Sequence, residues 1–176
     1  MAKQIIYMDN AATSFPKPPR VVDGMVRFMT EIGANPGRSR HALSREASTV
    51  GETARELLAE LFHISDPKRI IFTLNATESL NTVIFGFLKP GDHVIISQME
   101  HNSVIRPLRY LEAEKIVSVS VAACDRMGVL DPEEVSKLLR PETALVVINH
   151  ASNVCGTIQD IASIKRLIGD IPLLVD

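Results

Sequence analysis

The chain has 176 residues, 45% of them hydrophobic and 23% charged, and a net charge of −2. That length supports one sizeable core and about one domain. The charge balance provides no basic field for nucleic acid or an anionic membrane surface, and no apolar run approaches the ~20 residues of a membrane span.

Met1-Ala2-Lys3-Gln4 has no apolar signal region behind it. Cys124 and Cys155 are the only cysteines and form no Cys-x-x-Cys pair, so a reducing cytoplasm fits best. Both are read as small buried residues. No repeat, low-complexity segment or metal-ligand pattern is evident.

The first part reads as helical. Asp9-Asn10-Ala11-Ala12-Thr13 leads to Pro16, Pro18 and Pro19, which bar a helix until they end. Val21, Val22, Met25, Phe28 and Met29 then form an apolar helical stripe up to Gly33. Asn35-Pro36-Gly37-Arg38-Ser39-Arg40-His41 is a loop rich in donors. A second helix is expected from Ser44 to Phe62, with Leu57, Leu58, Leu61 and Phe62 on its buried side.

From Asp66 the pattern alternates between strand and helix. Arg69 to Thr73 contains Ile70, Ile71 and Phe72 and is expected to form a buried strand. Leu80, Val83, Ile84 and Phe87 then recur at helical spacing. Between them Thr73, Asn75 and Thr77 can satisfy the free N–H groups of a helix start. Such a start attracts anions, because its N–H groups and the helix dipole point the same way. On spacing alone an ordinary capped turn is the more economical reading.

Lys89-Pro90-Gly91-Asp92 is a turn. Strands are expected at 93–97, 116–122, 144–148 and 172–176, with helices at 103–114, after Asp131-Pro132, and at 161–168. Continuous apolar strands alternating with helices predict an α/β fold with three αβα layers around a mainly parallel sheet. The helical segment 1–63 precedes it, and 64–176 forms the sheet domain. Ligands in such sheets bind beyond the carboxyl ends of the strands. Ala76-Thr77, Glu100-His101-Asn102, His150-Ser152-Asn153 and Asp176 all fall on that edge. One histidine or one aspartate there would be a cap or a turn residue, but four polar clusters on one edge outline a pocket.

These residues, in order, resemble the class V aminotransferase family. This is the branch of fold-type-I pyridoxal-phosphate enzymes that includes cysteine desulfurases and selenocysteine lyases. The resemblance rests on Asp9-Asn10-Ala11-Ala12-Thr13, Asn35-Pro36-Gly37-Arg38-Ser39, Thr73-x-x-Ala76-Thr77-Glu78-x-x-Asn81, Glu100-His101-Asn102-Ser103, Ser152-Asn153-x-x-Gly156 and Leu174-Val175-Asp176. It implies that the sheet is part of the large domain of these transferases and that the cofactor is pyridoxal 5'-phosphate.

Under the resemblance, Ala76 and Thr77 hold the cofactor phosphate and His101 stacks on its ring as the catalytic histidine. Asp176 pairs with the ring nitrogen, and Asn153 reaches the ring oxygen or the substrate carboxylate. Asn10 and Asn35 lie near the substrate with a weaker claim. The implied substrate is cysteine or a similar amino acid. The implied partners are a second copy of the chain and a sulfur-acceptor protein.

The family's cofactor-binding lysine follows the aspartate strand, and none of the lysines here matches it. The chain therefore reads as the first half of such an enzyme, inactive alone. Aminotransferase, epimerase or selenocysteine lyase chemistry is an alternative. So is a non-catalytic phosphate-binding fragment, although no Gly-x-Gly-x-x-Gly or Gly-Lys-Ser/Thr loop is present.

Overall fold

The computed structural model describes residues 5–37 and 41–176. Lys3 and the Arg38–Arg40 part of the donor-rich loop lie outside the described residues. The chain divides into two compact units, one ending at Phe72 and the other starting at Thr73.

The first unit is helical. Helix α1 (Pro19–Arg27) begins on a proline at its first position, where the missing N–H costs nothing. It runs into a π-helical turn at Phe28–Ile32, which Gly33 ends in the left-handed conformation at φ 49°. Helix α2 (Ala42–Leu61) is capped by the His41 side chain, which accepts from the Ser44 N–H.

Two expectations fail in this unit. Leu57, Leu61 and Phe62 are exposed rather than buried, and α2 buries Ser44, Ala47 and Ala59 instead. The strand expected from Arg69 to Thr73 does not form, and Arg69 closes the short 3-10 turn Pro67–Arg69 instead. A strand exists only as a paired element, and no β-ladder includes this segment. Its backbone is held along α2: Arg55 donates to the Ile70 carbonyl at 3.1 Å and covers the Phe72 ring at 5.1 Å. Ile71 is left 80% exposed.

The second unit carries the sheet. Its elements are α3 (Ala76–Phe87), β1 (His93–Ser97), α4 (Asn102–Ala113), β2 (Ser118–Ala122), α5 (Pro132–Ser136), β3 (Thr143–Ile148), α6 (Ile161–Ile168) and β4 (Leu173–Val175). The four strands lie in the order β2-β1-β3-β4, and every pairing is parallel. Strand β1 is buried along its whole length, as a central parallel strand must be.

Alternation along the strands separates two cores. Val94, Ile96, Leu145 and Val147 face α3 and α4 through Leu80, Ile84, Val104 and Leu108. Ile95, Val146 and Ile148 face α5 and α6 through Val135, Ile164 and Ile168. This is the expected αβα sandwich. Asp131 caps α5 through the Glu133 N–H, with Pro132 at the first helical position, as the sequence predicts.

Candidate active site

The chain leaves β1, crosses by α4 to β2 on one side, and returns by α5 to β3 on the other. The strand order therefore reverses between β1 and β3. At such a switch point the connections diverge and leave a crevice beyond the carboxyl ends. Glu100 and His101 follow β1, and Asn149 to Asn153 follow β3.

The start of α3 is shaped by its own side chains. Asn75 caps the helix by accepting from the Glu78 N–H at 2.9 Å, and the Glu78 carboxylate reaches back to the Leu74 N–H at 2.7 Å. This is a variant of the capping box. It leaves the Ala76 and Thr77 N–H groups, in the first turn, with no acceptor among the described residues. Thr77 is thus at an open helix start, although no strand precedes it.

His101 performs the modest role that a lone histidine after a strand suggests. It caps α4, its Nδ1 accepting from the Ser103 N–H at 3.2 Å with the Ser103 hydroxyl at 2.7 Å. That contact puts the proton of the neutral ring on Nε2. The rest of the imidazole remains exposed. It lines a cavity of about 240 Å³ together with Thr77, Asn81, Ser103 and Arg106. It also lines a second cavity, of about 280 Å³, with Gln98, Glu100, Ser152 and Asn153. His101 therefore stands between the helix start and the β3 loop.

Asn153 sits in the turn 152–156, held by the Gly156 N–H on the Ser152 carbonyl at 2.9 Å. Cys155 lies in the same turn and is exposed, while Cys124 is half-buried. The expectation of two buried cysteines fails because a tight surface turn leaves no room to enclose the thiol. Asp176 continues the ladder beyond β4: its N–H donates to Ile148 at 3.1 Å, and its carbonyl accepts from His150 at 2.9 Å. It lines neither of the two cavities around His101. Asn10 and Asn35 belong to the first unit. There Asn10 accepts from the Phe15 N–H at 3.2 Å, and the Asn35 carbonyl accepts from Ser44 at 3.0 Å.

Glu100 lies on the same edge, as its place after β1 predicts. It is 6% exposed, and burial raises its carboxyl to about 7 against the hydrogen bonds from Ser97 and Asn149. Nothing in the residue type announces this. The only signal was its position directly after an apolar strand.

Comparison with known proteins identifies the family. The sequence model of the family described as aminotransferase class-V matches residues 6–176. A probable cysteine desulfurase of Borreliella burgdorferi is 35% identical over 170 residues, covering 94% of this chain and 40% of the relative. The cysteine desulfurase IscS of Escherichia coli is 39% identical over 168 residues, 92% of this chain and 41% of the relative. Among solved structures, a NifS-like protein superposes with a TM-score of 0.87 at 34% identity, over 97% of this chain and 48% of that one. The apo cysteine desulfurase of Thermococcus onnurineus NA1 gives 0.89 at 30% identity, over 98% and 44%. The chain spans about two-fifths of the length of these curated relatives and resembles cysteine desulfurases over that span. With a family model matching nearly all its residues, and solved structures of related sequence superposing over nearly the whole chain, the chain belongs to the class-V aminotransferase family.

Proposed function

We propose that the whole protein is a pyridoxal-phosphate-dependent cysteine desulfurase, and that the β1–β3 edge of this chain is its cofactor site. The observation that carries the reading is the open first turn of α3 sharing a cavity with His101. The residues suit the group. Two free N–H groups and the Thr77 hydroxyl at a helix start suit a phosphate dianion. An aspartate at the sheet edge suits a protonated ring nitrogen, since an opposite charge favours the charged form.

When bound, the cofactor supplies an electron sink for a substrate carbanion. The protein's part is binding and orientation. Ala76 and Thr77 would hold the phosphate. His101 would lay its imidazole on the ring by an offset aromatic contact, its orientation fixed by the bond to Ser103. Asp176 would hold the proton on the ring nitrogen, and Asn153 would hold the ring oxygen or the substrate carboxylate. Asn10 and Asn35 are proposed on the substrate side. Cysteine as substrate is supported by the names of the relatives and by a solved neighbour described as SspA in complex with cysteine, which is 31% identical with a TM-score of 0.86. Transamination, epimerisation or selenocysteine cleavage is the second reading, supported by the breadth of the family.

We further propose that this chain alone does not turn cysteine over. Lys165 donates to the Ile171 carbonyl at 2.9 Å, toward the start of β4 and away from the edge that carries Asp176. Lys137 pairs with Glu134 on α5. Lys89 and Lys115 precede β1 and β2. Self-association to a dimer and transfer of sulfur to an acceptor protein complete the proposal, in a cytoplasmic setting. No described helix is long and apolar enough to cross a membrane.

The test is to add pyridoxal phosphate to the chain, reduce with borohydride and map adducts by mass spectrometry, with light scattering in parallel. Saturable binding lost in Thr77→Pro and weakened in His101→Ala, without a single specific lysine adduct, is expected. One reduced lysine together with sulfide release from cysteine would overturn the claim of inactivity. Binding indifferent to both substitutions would overturn the site.

A further inference from the structure

Glu100 leaves the carboxyl end of β1 and turns inward. Its Oε1 accepts two hydrogen bonds, from the Ser97 hydroxyl at 2.6 Å and from the Asn149 backbone N–H at 2.8 Å. The Ser97 oxygen accepts in turn from the Met99 N–H at 3.0 Å. The other carboxyl oxygen, Oε2, is buried with no partner among the described residues, and so is the side-chain oxygen of Asn149. Both residues are more than nine-tenths enclosed, at 6% and 5% exposure.

Two buried acceptors without hydrogen bonds are unfavourable, and a bare buried carboxylate is worse. Among the described groups acting on Glu100, the hydrogen bonds from Ser97 and Asn149 relieve the charge only in part. Ser97 comes from the end of β1, Asn149 from the end of β3 and Asp176 from the end of β4, and none is a cation. A carboxylate only accepts, whereas a carboxylic acid has one O–H to donate. A proton on Oε2 removes the buried charge.

We propose that Glu100 is a positioning residue, which bolts the turn carrying His101 to the end of β3 and, while it carries a proton, keeps a second negative charge away from Asp176. The bolt spans the point where the strand order reverses and the sheet opens. It therefore sets the spacing between the two loops that line the cavity of His101 and Asn153. Burial and the Asp176 charge favour the proton, while the Ser97 and Asn149 bonds oppose it, and the balance lies at about 7. The purpose of the bolt rests on the reading of this edge as the cofactor site. Its chemistry rests on contacts within the chain alone.

The experiment needs no cofactor. Carboxyl-13C-glutamate is incorporated into the chain, and the carboxyl resonances are followed from about pH 4 to pH 9. One glutamate signal is expected to titrate near 7, to vanish in Glu100→Gln and to move to lower pH in Asp176→Asn. Glu100→Gln is a neutral isostere that accepts with its oxygen and donates with its nitrogen. Below about pH 5 its thermal midpoint should match the wild type. Above about pH 7 it should exceed the wild type, because the wild type must then bury a charge. Glu100→Ala should fall below both throughout. If Glu100→Gln does not fold, the shift in Asp176→Asn identifies the signal instead. All glutamates titrating in the ordinary carboxylate range would overturn the proposal. Failure to bind pyridoxal phosphate while this signal still titrates near 7 would sink the cofactor reading and leave the bolt standing.

Discussion

The side-chain amide of Asn81 donates to the carbonyl of Thr77 at 2.7 Å, and the same nitrogen lies 3.3 Å from the Ser103 carbonyl. One residue thus ties the first turn of α3 to the first turn of α4, which are the two helix starts that meet at His101. Asn81→Ala is expected to lower stability by about 1 kcal/mol, the net worth of a hydrogen bond. It should also weaken phosphate binding, because the two turns are no longer held in register. Thermal unfolding and a phosphate titration check both effects. Unchanged phosphate affinity would show that the tie is structural only.

Thr77→Val keeps the backbone N–H and the side-chain shape but removes the hydroxyl. Pyridoxal-phosphate or phosphate affinity should fall roughly threefold to tenfold, the equivalent of one hydrogen bond of ~0.5–1.5 kcal/mol. Asn75→Ala removes the cap instead and should cost about 0.5–2 kcal/mol of stability. A binding isotherm that ignores Thr77→Val but responds to Asn75→Ala would assign the site to the backbone alone.

His93 is buried at the opposite edge of the sheet, with Nδ1 2.8 Å from Thr143 and Nε2 2.9 Å from Ser120. The two hydroxyls also accept from Arg140, at 2.8 Å and 3.0 Å. Burial first, and then the Arg140 charge, hold the imidazole below its ordinary range. The unfolded chain therefore takes up a proton that the folded chain refuses. This stability is fully present above about pH 6.5 and is lost as pH falls from there through the lower folded value. The urea midpoint should drop across that window in the wild type. His93→Leu should be less stable at neutral pH by about 1–3 kcal/mol, because it removes the imidazole partner of two hydroxyls, and its pH dependence should be flatter. A wild-type slope equal to that of His93→Leu would contradict this account.

The two cysteines should react at different rates. Hydrogen bonds from Ser152 and Thr157 lower the exposed Cys155 thiol to about 7, whereas burial raises Cys124. Thiolate is the nucleophile, so alkylation by iodoacetamide at neutral pH should modify Cys155 first. Peptide mapping over time checks this, and equal rates would refute it. Ser152→Ala removes the first of these bonds and should slow the reaction at Cys155.

The sequence by itself determined the elements whose causes are local. Strand β1 falls on the five residues expected, because a continuous apolar run between a Pro-Gly turn and a polar cluster has few other uses. Helix α6 begins at Ile161, with Asp160 as its cap, and Asp131-Pro132 opens α5. From these the parallel sheet and its polar edge follow, since parallel strands put every carboxyl end on one side. What depends on partners distant in the chain was decided only by the tertiary structure. Ile70, Ile71 and Phe72 have strand composition but no strand beside them, so they lie along α2. Leu57 and Leu61 keep helical spacing, yet no described element covers them. Glu100 reads as one more polar residue after a strand until the Asn149 N–H, 49 residues later, meets its carboxyl in a closed interior. Periodicity reports which face a residue occupies. Whether that face is covered, and whether a charge there can survive, depends on what the rest of the chain brings against it.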